Sequence, residues 1–288
     1  LRPSDRQACL RVIMEHRATI RLDHVTKRFP FGLDGTFTAV EDVSLEVHAG
    51  EFVAVVGPSG CGKSTLLGMI SGLLPQTSGR ILVEGEEVTG INKKLGYLFQ
   101  RDALLPLKSI LDNVALPLLF RGWEARRARA QAGEWIQRVG LAGFESYYPY
   151  QLSGGMRKRA SLATTMVYQP DIILMDEPFA ALDVQTRNLM ENDLLEIWAQ
   201  ERKTVLFITH DLEEAIALSD RVVVLTASPG RVKGTYPIPL GRPRSVAEVF
   251  QSHPETVAST KGLVYFDEKI PDIRPSGEPE GKPLKDQA

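Results

Sequence analysis

The side chains of this chain best placed to do chemistry are a lysine in a glycine loop, an adjacent pair of carboxylates and one histidine at the end of an apolar run. Residues 57–65 read Gly-Pro-Ser-Gly-Cys-Gly-Lys-Ser-Thr, which fits G-x-x-x-x-G-K-[ST]. They lie between the apolar run Phe52-Val53-Ala54-Val55-Val56 and a helix-like stretch beginning at Thr65. Strand, glycine loop and helix start come in the order a triphosphate cradle needs. Gly57, Gly60 and Gly62, with Ser59 and Cys61 between them, let backbone N–H groups turn inward around phosphate oxygens. Lys63 supplies a mobile positive charge, and Ser64 offers an oxygen to Mg²⁺. The bland alternative is a glycine-rich turn before a buried helix. The flanking strand and helix favour the cradle.

Asp171-Ile172-Ile173-Leu174-Met175-Asp176-Glu177-Pro178 puts two carboxylates at the end of a buried apolar strand. Adjacent side chains leaving a strand point in different directions, so Asp176 can address the Mg²⁺ shell while Glu177 faces an attacking water. Thr209-His210-Asp211 follows the next apolar run, Val205–Ile208, and a histidine at that edge lies near the γ-phosphate. The other four histidines, His16, His24, His48 and His253, have no such setting. Leu152-Ser153-Gly154-Gly155-Met156-Arg157 is a second helix start suited to an anion: Ser153 is a good N-cap and the glycines expose backbone donors. The chain has one lysine-bearing loop and two phosphate-facing surfaces. The economical explanation is that the second surface serves a nucleotide held by another copy, in a two-fold head-to-tail pair.

The elements that must position these residues alternate along the chain. Short apolar runs at Phe52–Val56, Ile172–Met175, Val205–Ile208 and Val222–Leu225 are interleaved with helical patterns at Leu66–Leu74, Leu189–Ala199 and Leu212–Leu218. Such runs suit parallel strands covered on both faces, an α/β nucleotide fold. Residues 18–50 and about 79–99 read instead as shorter alternating strands, an antiparallel β subdomain, and 101–168 as a helical insert. Residues 1–17 read as a flexible leader or an incomplete start; proline, glycine and charge rise together from Arg242 onward, so 243–288 is expected to be an extension that is disordered from about Gly277. No internal repeat occurs, so the chain does not carry two tandem nucleotide cassettes.

Composition narrows the classes further. With 288 residues and 43% apolar, the chain can bury a full core, and a formal charge of −2 lacks the basic footprint of a nucleic-acid binder. Cys9 and Cys61 are the two cysteines, and a disulfide at Cys61 would obstruct the loop, which fits a reducing cytoplasm. Cys61 is read as doing no chemistry, although a thiol at a helix N-terminus tends towards a lowered pKa. No stretch approaches the ~18 apolar residues of a membrane span.

Taken together, Gly57–Thr65, Gln100, Leu152–Met156, Asp171–Pro178, Ala181-Leu182-Asp183 and His210 resemble the Walker A, Q-loop, signature, Walker B, D-loop and H-loop motifs of ABC ATPases, over about Ala18 to Arg242. The resemblance implies a RecA-like P-loop core with an antiparallel β subdomain and a helical signature subdomain. It implies ATP and Mg²⁺ at Lys63, Ser64, Thr65, Gln100 and Asp176, with Glu177 beside the hydrolytic water. Ser153 and Gly155 would face the γ-phosphate across a dimer, and Asp183 would link the two sites. Phe29 occupies the position of the family's adenine-stacking aromatic, often Tyr; stacking needs only the ring face.

Met156 in the signature, Leu104-Leu105-Pro106, Asp112-Asn113-Val114 and Leu225–Val232 resemble the ATPase subunits of nitrate, sulfonate and taurine importers. The family's usual Leu-Leu-Pro-Trp is Leu-Leu-Pro-Leu here. The expected protein is thus a peripheral ATPase on the cytoplasmic face of the inner membrane. Its expected partners are a second ATPase subunit, a transmembrane permease and, indirectly, a periplasmic or lipid-anchored solute-binding protein. ATP binding would close the dimer and shift the groove around residues 100–120 against the permease; hydrolysis would reopen it. Arg121, Arg126, Arg127 and Arg129 are read as a solvated helix face in preference to a lipid contact. The rivals are an ABC ATPase of another subfamily, a nucleic-acid-linked one, a P-loop kinase or GTPase, and a nucleotide-dependent regulator without turnover.

Overall fold

The computed structural model describes residues 18–32 and 35–242, with a few positions between 244 and 262. The expected leader over 1–17 and the expected disorder from about Gly277 lie outside those residues. In chain order the elements are β1 (Ala18–Phe31), β2 (Gly35–His48), β3 (Phe52–Val56), α1 (Lys63–Ile70), β4 (Ser78–Val83), β5 (Glu86–Glu87), β6 (Leu95–Leu98), α2 (Ile110–Phe120), α3 (Ala125–Arg138), a 3-10 turn (Pro149–Gln151), α4 (Gly154–Met166), β7 (Ile172–Asp176), α5 (Val184–Glu201), β8 (Thr204–Thr209), α6 (Leu212–Leu218), β9 (Arg221–Leu225) and β10 (Val232–Pro237).

Six strands form one sheet in the order β10-β9-β3-β8-β7-β6, parallel except for the antiparallel edge strand β10. The unbroken apolar run of β3 is buried along its whole length because both faces are covered. Phe52, Ala54 and Val56 join the core beneath α2 to α6, whereas Val53 and Val55 join a second core shared with α1 and the other sheet. Alternate residues of one strand thereby bind the two layers together. The second sheet, β2-β1-β4-β5, is antiparallel, and its inward residues Ile20, Leu22, Val40, Val43 and Val47 close that core.

Two expectations need correction. Leu95–Leu98 was read with the antiparallel strands, but β6 pairs in parallel with β7, Leu95 opposite Ile172 through Leu98 opposite Met175. Four residues carry too little pattern to declare a sheet, and only the partner decides. The helix read over Leu66–Leu74 begins at Lys63 and ends at Ile70, where Gly72 at φ 75° turns the chain. Leu74 still packs on the core after that turn, whereas Leu73 is exposed, so the helical spacing continued past the helix itself.

Between β6 and β7, α2, α3 and α4 occupy the stretch read as a helical insert. Trp135 of α3, fully buried, anchors them on the core. Ser109 accepts a hydrogen bond from the Asp112 amide and Glu124 from those of Arg126 and Arg127, which starts α2 and α3 where the sequence offers polar caps.

Candidate active site

The loop between β3 and α1 is braced from two sides by segments distant in sequence. Gly62, at φ 95°, would place a Cβ 2.6 Å from the Ala39 carbonyl oxygen and 2.7 Å from Val40 Cγ2, so β2 passes directly against the loop. The Gly230 amide donates to the Ala39 carbonyl at 3.0 Å, and the Glu41 amide donates to the Gly230 carbonyl at 2.9 Å. Gly230 also lies so close to the Cys61 carbonyl that no side chain fits there. The Cys61 thiol is buried, and burial pushes its pKa up, against the depression expected from a helix N-terminus. Desolvation outweighs the Lys63 charge and the backbone hydrogen bonds that act the other way.

Lys63 begins α1 and is almost wholly buried. Its Nζ donates to the carbonyls of Gly57 at 2.8 Å and Pro58 at 3.1 Å and stands 3.8 Å from Glu177 Oε1. Ser59 and Gly60 are exposed at the loop's outer rim, with Ser64 exposed and Thr65 half-buried at the first turn. The loop thus presents backbone amides, a hydroxyl and one ammonium to the same space, which is the chemistry of polyphosphate binding.

Asp176 ends β7 and receives a hydrogen bond from Ser64 Oγ at 2.9 Å. Burial raises the Asp176 pKa, the Ser64 hydrogen bond opposes that shift, and the buried Tyr97 hydroxyl on β6 has its own pKa raised by burial and by the Asp176 charge. Two oxygen donors side by side suit a hard cation, and no group of three or more acidic, histidine or cysteine ligands occurs among the described residues. The pair fits Mg²⁺ held jointly with phosphate oxygens, not in a cage made by the protein alone.

Glu177 adopts φ 41°, a left-handed conformation that costs a residue with a side chain of order 1–3 kcal/mol. The bend sends its carboxylate away from Asp176. Its Oε2 lies 3.2 Å from His210 Nδ1 and accepts from Gln100 Nε2 at 3.4 Å. Lys63, Gln100, Glu177 and His210 therefore meet within one pocket edge, while Gln100, expected also as a metal ligand, touches Glu177 and not Asp176.

Ser153 and Asp183 do something more local. Ser153 Oγ accepts from the Met156 amide at 3.3 Å and caps α4, and Asp183 Oδ1 accepts from the Thr186 amide at 3.0 Å and caps α5. That backbone hydrogen bond lowers the Asp183 pKa. At Gly155 a Cβ would stand 2.6 Å from Thr186 Cγ2, so the two helix starts pack side by side. No hydrogen bond joins Ser153, Gly155 or Asp183 to residues 57–65 among the described residues. Phe29 is half-buried on β1 opposite Phe37, packs on the core beneath α1 and has Lys27 Nζ 5.0 Å from its ring centroid. The nearby Phe31 is largely exposed.

Sequence reasoning missed the residues that tie α4 to the segment carrying Gln100. Lys158, buried, donates to the carbonyls of Gln100 at 2.9 Å and Phe99 at 3.2 Å and pairs with Asp102 at 3.3 Å. Arg157 holds the other Asp102 oxygen at 3.2 Å and donates to the Leu152 carbonyl at 2.7 Å. One signal was available: Lys158 falls at helical spacing from Leu162, Thr165 and Met166, the buried face of α4.

Residues 40–180 match the ABC transporter family. The chain is 48% identical over 228 residues to an uncharacterised ABC transporter ATP-binding protein of Methanocaldococcus jannaschii, covering 79% of this chain and 85% of that one. It is 40% identical over 234 residues to an aliphatic sulfonates import ATP-binding protein of Bacillus cereus, covering 81% and 92%. Against a taurine import ATP-binding protein of Rhizobium johnstonii it is 45% identical over 217 residues, covering 75% and 83%. The fold matches the dimeric post-hydrolysis structure of an ATP-binding cassette bound to ADP and Pi with a TM-score of 0.69 at 31% identity, covering 77% of this chain and 100% of that one. Likeness of this degree, over 79–81% of this chain and 85–92% of the relatives at 48% and 40% identity, means that the chain belongs to the ATP-binding proteins of the ABC transporter family.

Proposed function

We propose that this chain is the ATP-hydrolysing subunit of an importer for a small anionic solute of the sulfonate, taurine or nitrate kind, acting on a separate membrane permease. The observation that carries the reading is the meeting of Lys63, Gln100, Glu177 and His210 beside the Ser64 and Asp176 oxygens. Relatives named for import of aliphatic sulfonates and of taurine support the solute class.

The loop amides and Lys63 bind the polyphosphate, and Phe29 offers a ring face to adenine. Mg²⁺, held by Ser64 and Asp176 with Gln100 nearby, would neutralise phosphate charge and polarise the terminal phosphoryl group. Glu177 orients the attacking water and takes its proton, His210 holds the Glu177 carboxylate, and Lys63 draws charge from the leaving oxygens. Ser153 and Gly155 of a second copy complete the pocket from the opposite side, with Asp183 beside them. A dimeric relative in a post-hydrolysis state supports that arrangement.

The permease contact is assigned to the cleft beside the Gln100 segment. It has a volume of about 290 Å³ and is lined by Leu104, Leu116, Pro117, Phe120, Thr164 and Tyr168. Phe120 is 82% and Leu107 89% exposed, an apolar rim unusual for a surface that meets only water. Of the arginines read as a solvated face, Arg129 pairs with Asp112 at 2.9 Å, Arg127 lies over the Trp123 ring and Arg121 over the Tyr168 ring. No described helix is long and apolar enough to cross a membrane, so the chain would reach one through the permease.

ATPase assays on the wild type and Glu177→Gln test the reading. Wild-type turnover should fall roughly 10²–10⁴-fold in the variant, the share of a positioned general base. A wild type without turnover, alone or with its permease, would make the chain a nucleotide-dependent regulator instead.

A further inference from the structure

Two loops that carry site residues, and the first turn of α6, converge on one side chain that the mechanism above does not use. Arg187 lies on the first turns of α5, one helical turn after the Asp183 cap. Its Nη2 donates to the Leu182 carbonyl at 3.1 Å, within the loop that leads from Glu177 to Asp183. Its Nη1 stands 3.5 Å from Asp211 Oδ2, and its Nε 3.7 Å from Glu214 Oε1. Asp211 follows His210 directly, and its other oxygen accepts from the Glu213 amide at 2.8 Å to cap α6. Glu214 in turn receives the Thr209 hydroxyl at 2.6 Å, and the Asp211 amide donates to the same Thr209 oxygen at 2.9 Å. Both neighbours of His210 are thereby fixed, and His210 is left with Glu177 as its own side-chain contact.

The carboxylates Glu214 and Glu191 are buried, 5% and 1% exposed, while Arg187 and Asp211 are half-buried at the edge of the cluster. Arg187 Nε and Glu191 Oε1 have no hydrogen-bond partner among the described residues. A buried guanidinium nitrogen left without a hydrogen bond is costly unless it comes with an enforced geometry, and the geometry held here is the spacing between the Asp183 loop and the His210 loop.

We propose that Arg187 is a positioning residue for hydrolysis: it couples the loop ending at Asp183 to the loop bearing His210, so that movement of either is felt at Glu177. This rests on the reading of the chain as an ATPase in which His210 supports Glu177. The guanidinium is one rigid plane with donors on two edges, so a shift of the Leu182 carbonyl reaches Asp211 and Glu214 without an intervening flexible chain. A closing partner that presses on the Asp183 loop would therefore set the His210–Glu177 contact. The coupling needs no contact between Arg187 and nucleotide.

The test is a double-mutant cycle on the full chain, measuring kcat and KM for MgATP together with the thermal midpoint. Arg187→Ala should lower kcat at least tenfold with KM within threefold of wild type. His210→Ala should lower kcat on its own, and the double variant should fall no further than His210→Ala, because Arg187 acts through that histidine. Should Arg187→Ala fail to fold, Asp211→Asn serves in its place: the retained oxygen still caps α6, but the amide no longer attracts the guanidinium. It should show the same loss and the same non-additivity. Wild-type kcat in Arg187→Ala or Asp211→Asn, or losses that multiply when either is combined with His210→Ala, would overturn the proposal. A wild type that does not hydrolyse ATP, or a fully active His210→Ala, would instead bring down the reading on which it rests.

Discussion

The two helix tips that face phosphate chemistry in this chain are built in opposite ways. The tip of α1 is enclosed by its own protomer: β2 and the turn at Gly230 press on the loop, and the lysine is buried against carbonyls. The tip of α4 is open. Its serine does no more than cap its own helix, and its neighbour across the surface is the equally exposed start of α5. A helix N-terminus attracts anions by its unpaired amides alone, but a site needs walls, and only the first tip has them within one chain. The difference teaches that the second tip is incomplete within one chain, which fits the proposal that a second copy of the first tip completes it.

Substitutions at the two tips should therefore fail in different experiments. Ser153→Arg removes a pocket wall that acts in another protomer, so hydrolysis should fall roughly 10²-fold or more, as when a preorganised donor is lost. Its nucleotide affinity as an isolated monomer should stay at the wild-type value, and wild-type ATPase rates would end the shared-site scheme. Lys63→Ala acts in its own chain, where a charge-assisted contact of about 1.5–3 kcal/mol is lost, so affinity for nucleotide should weaken roughly 10–100-fold in a binding titration at any protein concentration.

Gly62→Ala sharpens the contrast without touching charge. A methyl group there meets the Ala39 carbonyl at 2.6 Å in a left-handed backbone, and thermal unfolding should report a loss of about 1–2 kcal/mol. An alanine at the open α4 tip's Gly154, where the nearest foreign atom is 3.9 Å away, should cost less. A further effect, read through pH and not through a change of shape, concerns α5. Burial, and then the charge of Glu214, raise the Glu191 pKa from the ordinary 4.5 to about 8, with Asp211 adding to the rise and Arg187 opposing it. Its stabilising proton is fully retained below about 4.5 and is lost as pH rises through about 8, so wild-type thermal stability should decline over that window. Glu191→Gln should flatten the decline, with melting curves at both ends of the window as the check.

The loop, the carboxylate pair and the histidine were legible because each is a short run in which neighbouring residues do one job. Lys158, Asp102 and Arg187 were not, because their partners are backbone carbonyls or side chains brought close only by the fold. Strand β6 was misassigned for a related reason: its four residues satisfy either sheet, and pairing with β7 is a tertiary choice. The depressed thiol expected at Cys61 failed because a helix N-terminus is visible in sequence, whereas the desolvation that defeats it is not.

Order and spacing along the chain gave the α/β class and the glycine loop between a strand and a helix, and its motifs together gave the family, since local backbone chemistry and hydrophobic period are written residue by residue. Tertiary structure alone decided which oxygen faces which: that Asp176 turns to Ser64 while Glu177 turns to His210, and that Arg187 holds both flanking loops. Those contacts join residues up to 112 positions apart, and no local pattern records a distance that only packing creates.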